Sequence, residues 1–323
     1  MPSVIILTAD SHCMATLARA SHEGPGLRVL GVQVSNTDAT TAAERDANVD
    51  HACALLLQHP GHEVYLLCEM TTVGYSDEVI EHLDVLAEDA DTGPSFTRFA
   101  AVARELNAFV VFGFPRSPPA GSAPGTKPTI SQTVVGPDGR RVDTYDKLHL
   151  CSFGDCAEQG RFRSGDHLTV FEAQRGFRVG VLICYDLRFP EVWRALCDPV
   201  ELGASGSAVA SGVDIVLHPS CFPNDGSFST WHTFVRARAV ENQVYVLSLS
   251  RAHPHFGSSI AVGPSPPACL LSPILGSGEE VLAVEVKRDV LAGARAEYTF
   301  RADRRTDYTA LRQGAATRAA AAV

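Results

Sequence analysis

No stretch of the 323-residue chain reaches the ~18 consecutive apolar residues that a membrane-crossing helix needs. The best candidate, residues 99–114, is broken by Arg104, Glu105 and Asn107, which speaks against an integral membrane protein. Cationic charge is scarce: 27 Lys and Arg stand against 37 Asp and Glu, a formal net charge of −10. Holding a phosphate backbone takes clustered cations, and the one basic cluster, Arg301, Arg304 and Arg305, sits beside Asp303 and Asp307. Neither nucleic acid nor a membrane is expected as a partner. There is no Cys-x-x-Cys pair; Cys151 and Cys156 come nearest. Zinc-finger spacing is therefore absent, and nine scattered cysteines, an odd number, do not make a small disulfide scaffold. Free thiols in a reducing, cytoplasmic setting are the expectation. The apolar patch at residues 4–7 has no basic region before it. Arg19 is the only basic residue among the first 26, where Asp10 and Glu23 also interrupt, so neither a secretory signal nor a transit peptide is supported.

The remainder is ordinary globular material, 45% hydrophobic and 20% charged. Length alone suggests about two domains, although large α/β layers can hold this many residues in one. No linker divides the chain: the Pro/Gly/Ser-rich stretch 115–128 has strand-like segments on both sides and reads as a surface loop. No solenoid repeat is present. Val- and Ile-rich runs of strand length recur at residues 29–34, 64–68, 109–114, 129–135, 168–171, 177–184, 213–218 and 244–249. Between them lie helical stretches at 40–58, 94–107, 189–202 and 228–241. In the second, Phe96, Phe99, Ala100, Ala103 and Leu106 form one apolar stripe behind a first-turn Pro94. Gly136-Pro137-Asp138-Gly139 is a tight turn between strands. Strands alternating with helices, plus hairpins, predict an α/β protein with mixed sheets covered by helices.

The chemistry concentrates in Phe177-Arg-Val-Gly-Val-Leu-Ile-Cys184-Tyr-Asp-Leu-Arg-Phe-Pro-Glu191. A buried strand runs into Cys184 and a helix follows within a few residues. A thiol there meets the positive end of a helix dipole, which favours thiolate, beside backbone N–H groups suited to an oxyanion. A packed core thiol at a strand end fits the same pattern. A nucleophile needs a base and a charge stabiliser. Nothing ties His149, His218 or His232 to Cys184, and each suits a surface or hydrogen-bonding role. Glu69 closes the run Val64-Tyr-Leu-Leu-Cys68, and Lys147 follows the strand at 141–145. Alone, Glu69 also fits an edge salt bridge and Lys147 a solvated loop.

Taken together, Leu67-Cys-Glu69, Tyr145-Asp-Lys147-Leu-His-Leu and Ile183-Cys184-Tyr-Asp-Leu-Arg-Phe-Pro-Glu resemble the three ordered motifs of the nitrilase superfamily, carbon–nitrogen hydrolases with a Glu–Lys–Cys triad. Glu158 in Glu-Gln-Gly-Arg-Phe-Arg-Ser-Gly-Asp166 resembles the family's second glutamate. Val213-Asp-Ile-Val-Leu-His-Pro219, Trp231, Arg236-Ala-Arg-Ala-Val-Glu-Asn-Gln-Val-Tyr-Val246, Gly257-Ser-Ser259 and the terminal Arg-Arg-Thr-Asp-Tyr308 extend the likeness over residues 27–308. Four features depart from the pattern. Cys68 stands where many members have proline, and Thr230 where the nearest branches often have histidine. The loop at 198–212 is longer than usual, and Gly-Pro-Ser-Pro-Pro follows residue 262 in place of an Asp-Pro-x-Gly turn.

The resemblance implies a four-layer α-β-β-α sandwich at residues 27–308, between an N-terminal extension (1–26) and a frayed Ala-rich tail (309–323). It implies pairing of copies into a homodimer or higher homo-oligomer. Cys184 would attack an amide or nitrile carbon, Glu69 would act as base, and Lys147 with the Tyr185 backbone N–H would hold the oxyanion. Glu158 would position the leaving nitrogen or hold Lys147. Arg188 would meet a substrate carboxylate or serve a supporting salt bridge; Phe222 would line the pocket or pack. No metal or organic cofactor is implied. The wording around Cys184 is most similar to the omega-amidase and deaminated-glutathione amidase branch, which acts on small carboxamides of 2-oxo acids. N-carbamoyl-amine hydrolysis ranks second, nitrile hydrolysis third, and a binding or scaffold protein without turnover is the non-enzymatic alternative.

Overall fold

Strand β3 (Val64–Leu67) shows how the layers arise. All four residues are buried, and because strand side chains alternate, Val64 and Leu66 enter one apolar cluster while Tyr65 and Leu67 enter another. A strand apolar on both faces belongs in the middle of a sheet covered on both sides. The computed structural model describes residues 4–5, 24–152, 156–198, 200–201, 209–210, 212–223, 225–265 and 270–305.

The remaining strands are β1 (Val4–Ile5), β2 (Leu27–Gln33), β4 (Phe109–Arg116), β5 (Thr129–Val135), β6 (Arg141–Asp146), β7 (Thr169–Glu172), β8 (Arg178–Val181), β9 (Val200–Glu201), β10 (Val209–Ala210), β11 (Ile215–Pro219), β12 (Tyr245–Leu249), β13 (Ile260–Val262) and β14 (Glu280–Val286). A seven-stranded sheet has the order β1-β14-β2-β3-β4-β5-β6 and a five-stranded sheet the order β13-β12-β11-β8-β7; β9 and β10 form a separate antiparallel pair. Within the large sheet β2, β3 and β4 are parallel, and within the small one β8, β11 and β12 are parallel.

The inner faces meet in one continuous core, where Val29, Val64, Leu66 and Val111 join Val181, Leu217, Leu247 and Leu249. The outer face of the large sheet, Leu30, Val32, Tyr65 and Phe112, is covered by Val49, Ala52 and Leu56 of α1 (Ala42–Gln58) and by Phe99 and Ala103 of α4 (Pro94–Leu106). Short helices α2 (Asp77–Glu81) and α3 (Leu83–Leu86) precede α4, and α5 (Glu158–Arg161) follows β6. Helices α6 (Pro190–Cys197) and α7 (Phe228–Asn242) cover the small sheet through Trp193, Leu196, Trp231 and Val235, and α8 (Arg288–Glu297) follows β14. On Gly180 of β8 an added Cβ would lie 2.8 Å from Leu196 Cδ2, so the missing side chain is what lets α6 sit this close. The expected α-β-β-α layering is present.

Two local expectations need correcting. The helix read at 189–202 ends at Cys197. Asp198 precedes Pro199 and adopts φ −71°, ψ 148°, the extended conformation that a following proline imposes. The capping of α1 also sharpens its start: Thr41 is the N-cap, with a reciprocal capping box to Glu44. Most of the 1–26 extension, residues 199, 202–208 and 211 of the long loop, residues 266–269 after the Gly-Pro-Ser motif, and the end of the chain from 306, including Tyr308 and the Ala-rich tail, lie outside the described residues.

Candidate active site

Four strand ends converge. Glu69 follows β3, Lys147 follows β6, Cys184 lies three residues beyond β8, and Cys221 two beyond β11. The carboxyl ends of β3 and β4 point the same way because the strands are parallel, and two antiparallel steps through β5 return β6 to that direction. The same end of a parallel arrangement is where α/β proteins collect functional groups.

Lys147 Nζ donates to Glu69 Oε1 and to Glu158 Oε1, at 2.8 Å each, with the ammonium side chain fully buried and both carboxylates 1% exposed. The lysine backbone is gripped from both sides, its N–H by Ile130 O (2.8 Å) and its C=O by the N–H of Gly165 (2.9 Å). Glu69 Oε2 accepts from the Cys221 N–H at 2.8 Å, and the Cys221 thiol donates to Glu69 O at 3.2 Å. The Cys184 thiol lies within hydrogen-bonding reach of the Glu69 carboxylate. Besides Lys147, Glu158 Oε1 accepts from Tyr75 Oη (2.5 Å) and Oε2 from the Cys151 N–H (2.6 Å). Glu158 Oε1 thus anchors the Lys147 ammonium.

Burial decides the protonation pattern. It raises the Glu69 pKa, opposed by Lys147 and reinforced by Glu158. For Lys147 burial alone would lower the pKa, but Glu158 and Glu69 outweigh it and hold the ammonium charged well beyond the usual range. The Cys184 thiol is pushed well up, first by burial and then by Glu69, with Lys147 acting against both. The expected push of a helix dipole toward thiolate is not realised at Cys184. The α-helix begins only at Pro190, after a 3-10 turn over Cys184–Arg188, so its positive end is not at the sulfur. Resting Cys184 is a thiol beside a carboxylate of raised basicity.

Cys184 has φ 44°, the left-handed region that costs a non-glycine residue about 1–3 kcal/mol. Asp186 supports this turn. Its Oδ2 accepts from the Ile183 N–H (3.0 Å) and from Tyr145 Oη (2.8 Å), and its Oδ1 from the His149 N–H (3.0 Å).

The anticipated substrate-binding residues lie around the same turn. Tyr185 is half-buried, edge-on to Phe189, and borders a cleft of about 500 Å³ that also includes His149, Phe162 and Arg163. Arg188 donates to Thr230 Oγ1 at 3.3 Å and sits 5.5 Å from the Phe222 ring centroid and 5.4 Å from that of Phe234. Phe222 is buried and stacks on Trp231, 5.3 Å between centroids at 4°. The residue that departs from the family pattern, Thr230, is thus the hydrogen-bond partner of Arg188. Cys221, Tyr75, Asp186 and His218 were not singled out as site residues from sequence. They reach Glu69, Glu158, His149 and Cys184 respectively across long chain separations, so no local spacing marks these contacts. Among the described residues no group of three or more His, Cys, Asp or Glu is arranged to hold a metal ion, and no helix is long and apolar enough to cross a membrane.

The chain as a whole resembles known proteins. The carbon-nitrogen hydrolase family model matches residues 31–295. The chain is 28% identical over 274 residues to an omega-amidase of Xenopus tropicalis, covering 81% of this chain and 91% of that one. It is 25% identical over 301 residues to an omega-amidase of Saccharomyces cerevisiae, covering 87% and 94%. Among solved structures, a Xanthomonas campestris protein of the same superfamily, with an arsenic adduct in its active site, superposes with TM-score 0.69 at 26% identity, covering 87% of this chain and 98% of that one. The Saccharomyces cerevisiae member of branch 10 of the nitrilase superfamily gives TM-score 0.69 at 24% identity, covering 85% and 94%. With its family model spanning most of its length and the nitrilase-superfamily sandwich as its fold, the chain belongs to the carbon-nitrogen hydrolase family.

Proposed function

We propose that this protein hydrolyses the C–N bond of a small carboxamide to a carboxylate and ammonia through a thioester on Cys184. The observation that carries the proposal is a buried ammonium, Lys147, clasped by two carboxylates, with a thiol beside one of them. Glu69, made more basic by burial, takes the thiol proton as Cys184 Sγ attacks the carbonyl carbon. An ammonium has three N–H donors. Glu69 and Glu158 use two, which leaves one for the oxyanion, next to the Tyr185 backbone N–H. In a dry site one such donor is worth roughly 3 kcal/mol of barrier. The tetrahedral species collapses by breaking C–N, and the nitrogen leaves as ammonia with the proton from Glu69. Water then gives a proton to Glu69 and adds to the thioester; C–S breaks, and the thiol regains its proton.

The omega-amidase names of the relatives support a carboxamide over an N-carbamoyl or nitrile substrate. Arg188, held by Thr230 between two phenylalanine rings, is the cation proposed to meet a carboxylate on that substrate. A catalytic cycle of this kind needs no metal or organic cofactor. Ammonia release measured over a panel of small carboxamides, N-carbamoyl amines and nitriles tests the proposal. Turnover is expected with carboxamides bearing a distal carboxylate. Turnover confined to either other group would reassign the substrate class, and none at all would favour a binding protein.

A further inference from the structure

His218, at the end of β11, is fully buried, and its Nε2 lies 3.0 Å from the carbonyl oxygen of Cys184. Its Nδ1 lies 2.8 Å from Ser248 Oγ, which in turn lies 2.9 Å from Trp231 Nε1. Donor chemistry leaves one arrangement for a neutral ring. A carbonyl only accepts, so Nε2 carries the proton; Nδ1 is then bare and takes the Ser248 hydroxyl proton; and the indole N–H, which only donates, points at Ser248 Oγ. Burial keeps the ring neutral, lowering its pKa to about 4. The relay Trp231–Ser248–His218–Cys184 therefore has one tautomer, with every donor used.

The gripped carbonyl belongs to the peptide that joins Cys184 to Tyr185. In a planar trans peptide the C=O and the following N–H point in opposite directions, so whatever fixes Cys184 O also fixes the Tyr185 N–H. This matters because Cys184 sits at φ 44°, where a relaxing turn would rotate that plane. The geometry points to His218 as the positioning residue that locks the Cys184–Tyr185 peptide and thereby aims the Tyr185 N–H at the developing oxyanion. The inference rests on the amidase reading above. It assigns His218 no contact with substrate.

Two reactions of the same sulfur separate this role from a merely structural one. Amide turnover passes through an oxyanion; carboxymethylation of Cys184 by iodoacetate, displacing iodide at a saturated carbon, does not. For His218→Leu, kcat is expected to fall about 100-fold, with KM and the Cys184 carboxymethylation rate (read by peptide mass spectrometry) within about threefold of wild type. His218→Gln, whose amide N–H can replace the Nε2 donor, is expected to recover at least about tenfold of that loss. Unchanged kcat in His218→Leu would overturn the inference, as would turnover and carboxymethylation falling in parallel. Should that variant not fold, Ser248→Ala is read the same way: reduced kcat at an unchanged carboxymethylation rate supports the lock, and unchanged kcat overturns it. Wild-type protein without amide turnover, or turnover retained in Cys184→Ala, would instead bring down the amidase reading itself, and this inference with it.

Discussion

His149 is clasped twice by Asp186, through its backbone N–H at 3.0 Å and its ring Nδ1 at 2.7 Å, both to Oδ1. A carboxylate only accepts, so the ring presents Nδ1–H. His149 lies two residues after Lys147 and Asp186 two residues after Cys184. The clasp therefore joins the segment that carries the ammonium to the turn that carries the sulfur. Stacking of His149 on Phe189, 3.7 Å between centroids, reinforces it.

Replacing Asp186 tests this joint. Asp186→Leu leaves the N–H of Ile183, the N–H of His149 and the Tyr145 hydroxyl without their acceptor. Each orphaned buried group costs about 1–3 kcal/mol, so urea unfolding is expected to show a loss of at least about 2 kcal/mol. Asp186→Asn keeps one acceptor oxygen and is expected to lose less. Equal stability in both variants would mean that the clasp is not maintained in solution.

The pH profile tests the base. Burial raises the Glu69 pKa above its ordinary value of 4.5. The proton-accepting form exists above that raised pKa and is lost as pH falls through it, so the acid limb of kcat/KM is expected above pH 4.5. Glu69→Gln is expected to lower kcat/KM by about 10²–10⁴ and to abolish that limb. An unchanged limb in the variant would assign it to another group.

Lys147 carries a structural load as well as a chemical one. Lys147→Met would leave Glu69 and Glu158 facing each other, buried, with no cation between them. Breaking a buried ion pair from one side costs about 3–5 kcal/mol. In the variant the Glu69 pKa, no longer opposed by Lys147, stands further above its unfolded value, so the penalty grows as pH rises and is relieved below the unfolded carboxylate pKa. Chemical denaturation in acid and at neutral pH is expected to show wild type and variant converging in acid.

Gly113 of β4 tests the link between sheet packing and the site. A Cβ there would lie 2.5 Å from Cys68 O and 2.6 Å from Met70 N, on either side of Glu69. The backbone cannot yield without moving the carboxylate. Gly113→Ala is expected to destabilise the fold by about 1–3 kcal/mol and to lower kcat in protein that remains folded. Wild-type kcat would show that the Glu69 segment tolerates displacement.

What the sequence disclosed follows from where the information lies. The apolar runs at 64–68 and 177–184 are local, and so are Glu69 and Cys184 at their ends; ordered motifs then brought in Lys147 and Glu158. The partners of these residues are not local. Cys221 reaches Glu69, Asp186 reaches His149 and His218 reaches Cys184 only once two sheets are stacked. The short strand β13, the alternating strand β14 and helix α8 passed unread among polar residues. The expected helix-dipole push on Cys184 failed for the same reason. The strand-to-helix turn was visible in the chain, whereas the close approach of the half-buried Cys184 to the Glu69 carboxylate is a property of the packed site.

The central claim is the covalent one, and mass spectrometry of protein quenched in acid during turnover of a small carboxamide tests it most directly. The account predicts a mass increase equal to the acyl group on the peptide containing Cys184, absent in Cys184→Ala, which should fold but release no ammonia. Steady ammonia release without any adduct on that peptide, undiminished in Cys184→Ala, would contradict it.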